Sequence, residues 1–550
     1  DPTGLNQSFG NFIWNATGLG SNSVNFNPTG IAGDIEINNG SATGQIIQTV
    51  GSISIGGDLI VGGGVFAITS GNNATRVISV SGNVTISGGA LIVKQSNNGA
   101  GTLNINGNLS HTGGTITRSG SGGASINFSG SGSPQLFTSG GTVTNSIDWT
   151  VNSGAFLQMA ASGTTVTGDG TFTLSSGATL GITSPDGITT AGATGNIQVS
   201  GTRSFSTGAN YVYNGNVNQA VGNGLPGTVN SLIIANTGSI GNNLVTLDAD
   251  KIISSELGVE LGVLDLVGFT ANRATLGGTF YLEANTGLRL NGVTNFPSNF
   301  STRTLDCAST VEYYANGPQT VAAVNYGNLL LSGSGVKTLQ AGTTQLCSNF
   351  TLSGIATTTA VVGMTVGGDF TIGSGTSFTA GAFTHQVNGN WSNQGTFTAG
   401  SSTFSFAGTI PGALSNTGTG DFFNLAFAGS GTKTINSPLS PTGDISQIST
   451  SVVLSGVNTI TLAAGRSLEI NASGSVTTGS GRLIIQPGAS YVNRSTSNPT
   501  LEVRQQFTGN KGWRLLGTPI NSTYAALTSG FETQGFPGST NPTLQPNLLW

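Results

Sequence analysis

The sequence predicts an all-β chain wound into one long parallel β-helix, and three observations carry that prediction. A Gly-Asn or Gly-Asp pair followed by an apolar-polar-apolar triplet recurs at a nearly constant interval. Short apolar runs are spread evenly between turn residues, with 88 Gly in 550 residues. Charged residues make up only 7%, against roughly 25% in an ordinary soluble domain.

The repeat comes first. Gly57-Asp58-Leu59-Ile60-Val61 is followed by Gly82-Asn83-Val84-Thr85-Ile86 and then by Gly107-Asn108-Leu109-Ser110, each step being 25 residues. Further along, Asn349-Phe350-Thr351-Leu352 leads to Gly368-Asp369-Phe370-Thr371-Ile372 and to Gly389-Asn390-Trp391-Ser392, in steps of 20 and 21. Such a period fits one coil of a β-helix, with right-handed coils expected. Each Gly-Asn or Gly-Asp pair reads as a turn, because these residues tolerate positive φ best. The triplet then points alternate side chains inward. Stacked at ~4.8 Å, ~20–25 coils would make a rod roughly 100–120 Å long.

Stacking also accounts for the missing charge. Equivalent residues of successive coils lie about 5 Å apart. Like charges at that spacing repel by roughly 1 kcal/mol per step even in water. Asn, Ser and Thr can hydrogen-bond along the stack instead.

A longer repeat overlies the coil. Phe128-Ser129-Gly130, Tyr213-Asn214-Gly215, Tyr314-Ala315-Asn316-Gly317 and Phe406-Ala407-Gly408 are each followed by an Asn and an apolar strand. The Asn residues are Asn145, Asn230, Asn328 and Asn424, in steps of 85, 98 and 96. The last two copies share Gly-Ser-Gly-x-Lys-Thr, at 333–338 and 429–434. A duplicated module of about four coils is expected. Thr246 to Asp265 departs from the pattern with Asp248, Asp250, Lys251, Glu256 and Glu260, and reads as an exposed loop or a less regular coil.

Three regions follow: an N-terminal cap and first strands at 1–40, a β-helix of about 20 coils at 41–500, and the start of a small β-rich module at 501–550. In the last, Arg482, Arg494, Arg504 and Arg514 gather, and Ser522-Thr523 reads as a helix cap. The apolar end Leu548-Leu549-Trp550 suggests a longer protein cut inside its next domain. Asp1-Pro2 reads either as a mature terminus or as an arbitrary start.

Several function classes are disfavoured. With 16 Lys and Arg and a net charge of −5, no basic stripe exists for nucleic acid. No apolar stretch approaches the ~18 residues of a membrane span. Carboxylates are too scattered to nominate a catalytic pair; Asp248 to Asp265 is the only dense group, and Asp306 and Glu312 stand alone. Asp248-Ala249-Asp250 has a calcium-like spacing without further ligands. His111 and His385 lack partners for a metal and read as strand residues. Gly-Ser-Gly-x-Lys-Thr lacks the helix a phosphate loop needs. No catalytic, cofactor-binding or metal-binding residue is assigned, and no cofactor is expected. Cys307 and Cys347 read either as a disulfide, if the protein is extracellular, or as two small buried hydrophobes. Thr-x-Thr pairs, as at Thr115/Thr117, Thr142/Thr144 and Thr396/Thr398, invite an ice-binding reading, but β-propensity explains them more simply.

Several stretches carry a family resemblance. They are Tyr211-Val212-Tyr213-Asn214-Gly215 with Gly222-Asn223-Gly224-Leu225-Pro226; Val366-Gly367-Gly368-Asp369-Phe370 through Phe378; and Gly512-Trp513-Arg514-Leu515-Leu516-Gly517-Thr518-Pro519-Ile520 with Thr533 to Gly538. The chain resembles the secreted and cell-surface β-helix adhesin-like proteins of the Bacteroidota, of the type IX secretion kind. The resemblance implies export to the cell surface and further modules after residue 550. It also implies a structural or adhesive rod. The partners expected are copies of itself, other surface proteins, glycans or a target cell surface. A polysaccharide-binding or polysaccharide-cleaving β-helix is the alternative.

Overall fold

In a computed structural model, the chain is described over residues 3–16, 23–38, 45–49, 51–69, 75–95, 97–504 and 506. The Trp513-Arg514 segment, the Ser522-Thr523 cap and nearly all of the 501–550 module lie outside the described residues. Every strand pairing within them is parallel, and no helix occurs among them. The strands stack as a β-solenoid of about 20 turns.

The repeat sets the register. Leu59 pairs with Val84, Val84 with Leu109, and Leu109 with Phe137. Phe350 pairs with Phe370, and Phe370 with Trp391. The 25-residue and 20–21-residue steps are therefore single coils. In the first part each coil has three strands, such as Arg76–Val80, Val84–Ile86 and Ala90–Lys94, which belong to three different sheets. Ser8–Phe9 and Phe12–Trp14 already belong to two of those sheets. The sheet begun by Phe12–Trp14 runs as far as Phe300–Leu305. Before it ends, a new one starts at Gln219–Ala220 and continues to Ser475–Thr477. The solenoid thus exchanges faces in its middle without breaking.

The Gly-Asn turns work differently from the sequence expectation. Gly57, Gly82, Gly107, Gly368 and Gly389 do not have positive φ, nor do the Asn or Asp residues after them. Their side-chain oxygens instead form a ladder. The backbone N–H of Asp58 donates to Asp34 Oδ1 (2.8 Å), that of Asn83 to Asp58 Oδ1 (2.6 Å), and that of Asn108 to Asn83 Oδ1 (2.9 Å). The second series repeats this from Asn349 to Asp369 to Asn390 to Ala413. Glycine is needed because the oxygen occupies the space of a Cβ. A Cβ on Gly82 would lie 2.2 Å from Asp58 Oδ1, and one on Gly389 2.4 Å from Asp369 Oδ1. Positive φ belongs to the next corner, at Gly64, Gly89 and Gly114. Asp34 and Asp58 are adjacent like charges; the charge-assisted bonds to backbone N–H groups offset their repulsion.

The outward columns show why charge is scarce. On one face Ser54, Ser79, Asn104, Asn127, Thr150, Thr173 and Ser204 lie in unbroken register. Asn127 Nδ2 donates to Asn104 Oδ1 (2.9 Å), and Asn104 Nδ2 to Ser79 Oγ (3.2 Å). Short polar side chains satisfy one another along the stack, which a column of lysines cannot do.

The longer module is real in register but shifted in the third copy. Phe128 pairs with Val151, Tyr213 with Ile234, Tyr313 with Leu331, and Phe406 with Phe427. The inward residue is Tyr313, not Tyr314, which points outward. In the first copy Asn145 sits in a turn with φ 61°, and Asp148 enters the strand instead. A buried glutamine marks three copies. Gln135, Gln219 and Gln319 each accept an N–H from their own corner, at Gly130, Gly215 and Ala315. Each donates to two carbonyls of the preceding coil; for Gln319 these belong to Leu290 and Gly292. Lys337 and Lys433, from the Gly-Ser-Gly-x-Lys-Thr segments, are wholly buried and complete the same corner. Lys337 Nζ donates to the Ala315 carbonyl (2.7 Å) and to Gln319 Oε1 (2.7 Å); Lys433 donates to the Gly408 carbonyl (2.9 Å). Burial lowers both amines, Lys337 to about 8.

The Thr246–Asp265 segment is a strand where an exposed loop was one expectation. Lys251–Leu261 pairs with Thr228–Ala235 and with Gly277–Leu282, and its irregularity survives as two register shifts. Leu257 and Val259 fill the core, while Glu260 faces out. The alternation inside the strand outweighs its charge.

Candidate functional site

The only compact ionic cluster joining three successive coils among the described residues lies on the sheet begun at Gln219–Ala220. Its strands Leu244–Thr246, Val263–Asp265, Gly287–Leu290 and Thr310–Tyr313 stack in register. That register forms the outward column Thr246, Asp265, Arg289, Glu312. The steps from Asp265 to Arg289 and from Arg289 to Glu312 are 24 and 23 residues, one coil each.

Arg289 binds both neighbours. Its Nε donates to Glu312 Oε2 at 2.8 Å and its Nη1 to Asp265 Oδ2 at 3.2 Å. Its guanidinium lies 4.4 Å from the centre of the Tyr314 ring, and Tyr314 Oη donates to Asp265 Oδ1 at 2.9 Å. Ser332 Oγ donates to Glu312 Oε1 at 2.6 Å, and the Val267 N–H to Asp265 Oδ1 at 2.8 Å. Burial by itself would lower Arg289, but the Glu312 bond and charge, then the Asp265 charge, raise it above its ordinary value. Burial, followed by the bond to Asp265, raises Tyr314. The two carboxylates are two coil steps apart, about 10 Å, with the arginine wedged between them.

Beside this column runs a second one, Leu244, Val263, Gly287, Thr310. Together with the turn carrying Ile240 it encloses a groove of about 390 Å³ that opens on Arg289 and Glu312. Ile240 is fully exposed.

The residues singled out from sequence are placed elsewhere or otherwise engaged. Asp248 pairs with Lys251 at 3.5 Å, and Asp265 stands opposite Thr246. Asp250 Oδ1 accepts the N–H and hydroxyl of Thr270, a ladder role. Asp306 accepts the Ala308 N–H in its turn. Among the described residues no three His, Cys, Asp or Glu gather as metal ligands. His111 and His385 are buried, and burial lowers both. His385 stacks on Phe404 at 4.9 Å, donates from Nε2 to the Ala380 carbonyl (2.9 Å) and accepts the Met364 N–H at Nδ1 (3.3 Å). Of the Thr-x-Thr pairs, Thr115 stacks on Thr142 and Thr144 bonds Thr117 (2.7 Å), but that sheet ends there.

Cys307 and Cys347 are disulfide-bonded, with Cα atoms 5.4 Å apart. Both residues are exposed, each beside a turn between strands. The bridge skips the intervening coil, which passes at Gly327; a Cβ there would lie 2.3 Å from the Asp306 carbonyl and 2.8 Å from that of Cys307. Closing a 40-residue loop contributes on the order of 4 kcal/mol in the chain-entropy account.

Sequence reasoning missed Arg289, Tyr314 and Gly287. The coil-length spacing of Asp265, Arg289 and Glu312 is the signal that finds the first. Nothing in the sequence alone separates Gly287 from the other glycines. Compared with protein-family models, curated proteins and solved structures, the chain matches none.

Proposed function

We propose that this protein is a secreted structural and adhesive rod of a bacterial surface, holding contact faces or further modules away from the cell. The observation that carries this reading is the uncharged column from Ser54 to Ser204, held in register by its own hydrogen bonds. Such a face offers extended contact without committing any group to chemistry. The exposed disulfide supports an oxidising, extracellular setting. Its partners are copies of itself, other surface proteins or glycans. Electron microscopy of the native protein tests the reading. Elongated particles that associate with one another or coat a target surface are expected; compact particles that bind neither would overturn it.

The Arg289 groove favours a polysaccharide-binding version of the same rod. Binding is the better reading there than cleavage, because Arg289 and hydroxyl or amide donors already engage both carboxylates. Release of reducing ends from a broad polysaccharide panel would reverse that preference.

A further inference from the structure

We propose that the groove beside Arg289 is a binding subsite for a neutral pyranose unit of a glycan. The proposal rests on the polysaccharide-binding version of the rod.

The groove owes its shape to one glycine. Val263 and Thr310 flank Gly287 in the outward column, each one coil step away. Gly287 has no positive φ, so backbone freedom does not explain it. A Cβ there would press on both methyls of Val263 at 3.1 Å. Its absence leaves a gap in an otherwise continuous row of side chains. Leu244 and Val263 line one end, and Ile240 stands exposed at the mouth. At about 390 Å³ the space falls within the range of small-ligand pockets.

The chemistry of the lining selects the ligand. Leu244, Val263 and Ile240 suit the C–H face of a sugar ring. Asn243 and Asn285 line the same groove, and their side-chain amides make no hydrogen bond to a described residue. They offer donors and acceptors for ring hydroxyls. Arg289 is already shared by Asp265 and Glu312, so the cluster carries one net negative charge. A uronate or sulfated sugar would meet that excess charge; a neutral ring would not.

The test uses the whole chain against two probe sets. One is gluco-, galacto-, manno- and N-acetylglucosamine-based oligosaccharides; the other is oligogalacturonate and alginate oligomers. Calorimetric titration is expected to find a neutral binder. Gly287→Ser, which fills the gap, should weaken it by roughly tenfold. Ile240→Ser, on a fully exposed side chain, should weaken it by about threefold with an unchanged melting temperature. The second variant keeps the test decisive if the first disturbs folding. Preference for the uronates would overturn the proposal. So would a neutral binder whose affinity ignores both variants, although the rod would then still bind glycans. If no oligosaccharide binds at all, this subsite and the polysaccharide-binding reading fall together, and the structural rod stands.

Discussion

Two stretches of the solenoid use the same turn device around different interiors. Between Leu59 and Leu109 the coils are 25 residues long and the core is aliphatic: Leu59, Val61, Ile78, Val80, Val84 and Ile86. Between Phe350 and Phe427 the steps are mostly 20 to 23 residues, and Phe370, Phe378, Trp391, Phe397, Phe404 and Phe422 fill the space. Those rings touch from coil to coil; Phe370 and Trp391 are 5.0 Å apart, and Trp391 and Phe422 4.9 Å. A shorter coil places fewer residues inside, so each must be larger to keep the interior close-packed. The ladder of Asn and Asp oxygens is common to both stretches. Coil length and core composition can therefore drift together while the turn chemistry stays fixed.

The largest test of that contrast is Trp391→Ala. It should cost about 3–5 kcal/mol and raise amide exchange in the coils of Phe370 and Phe404. The coils around Val84 should stay protected, because a solenoid couples mainly to its neighbours. A change spread evenly along the chain would break the picture of locally filled interiors. Trp391→Phe should cost far less, since the buried indole N–H has no partner to lose.

Next in size is the bridge before the aromatic stretch. Cys307→Ser with Cys347→Ser should lower stability by about 2–4 kcal/mol. Denaturant midpoints with and without reductant would measure it, and the double variant should no longer respond to reductant.

The shared ladder predicts equal effects in both stretches. Gly82→Ala and Gly389→Ala each drive a methyl into a side-chain oxygen and a backbone carbonyl, at about 1–3 kcal/mol. Asn83→Ala and Asn390→Ala each remove a single accepted bond, at about 1 kcal/mol. Urea titrations giving a large effect at one site and none at its counterpart would separate the two turns.

The smallest expected effect is pH dependence in the aromatic stretch. Burial holds the folded pKa of His385 below its ordinary value near 6.5. In the window below 6.5 the unfolded chain binds more protons, so stability falls as pH falls. Melting temperature should drop between pH 7 and 5. His385→Phe, packed against Phe404, should flatten part of that slope; His111 contributes with the same sign.

The legible parts of this fold were those that repeat locally. Leu59, Val84 and Leu109 announce their register because each follows the same turn pair. The buried corners were less legible. Lys337 meets Gln319 from the next coil, 18 residues away, so its role depends on where two coils close on each other. The Lys-Thr segment resembled a phosphate loop only while that partner was unseen. Tyr313 and Tyr314 show the same limit: either could be the inward aromatic, and pairing with Leu331 selects Tyr313.

By itself the sequence determined the parallel solenoid, its coil lengths and its lack of charge, because turn chemistry and period-2 alternation act within a few residues. Only the tertiary structure decided what meets across coils. It made Gly82 a seat for the Asp58 oxygen instead of a positive-φ turn, joined Cys307 to Cys347 past Gly327, and stacked Asp265, Arg289 and Glu312 beside the gap at Gly287. Those contacts depend on the summed lengths of whole coils, and one residue more or less would move every partner.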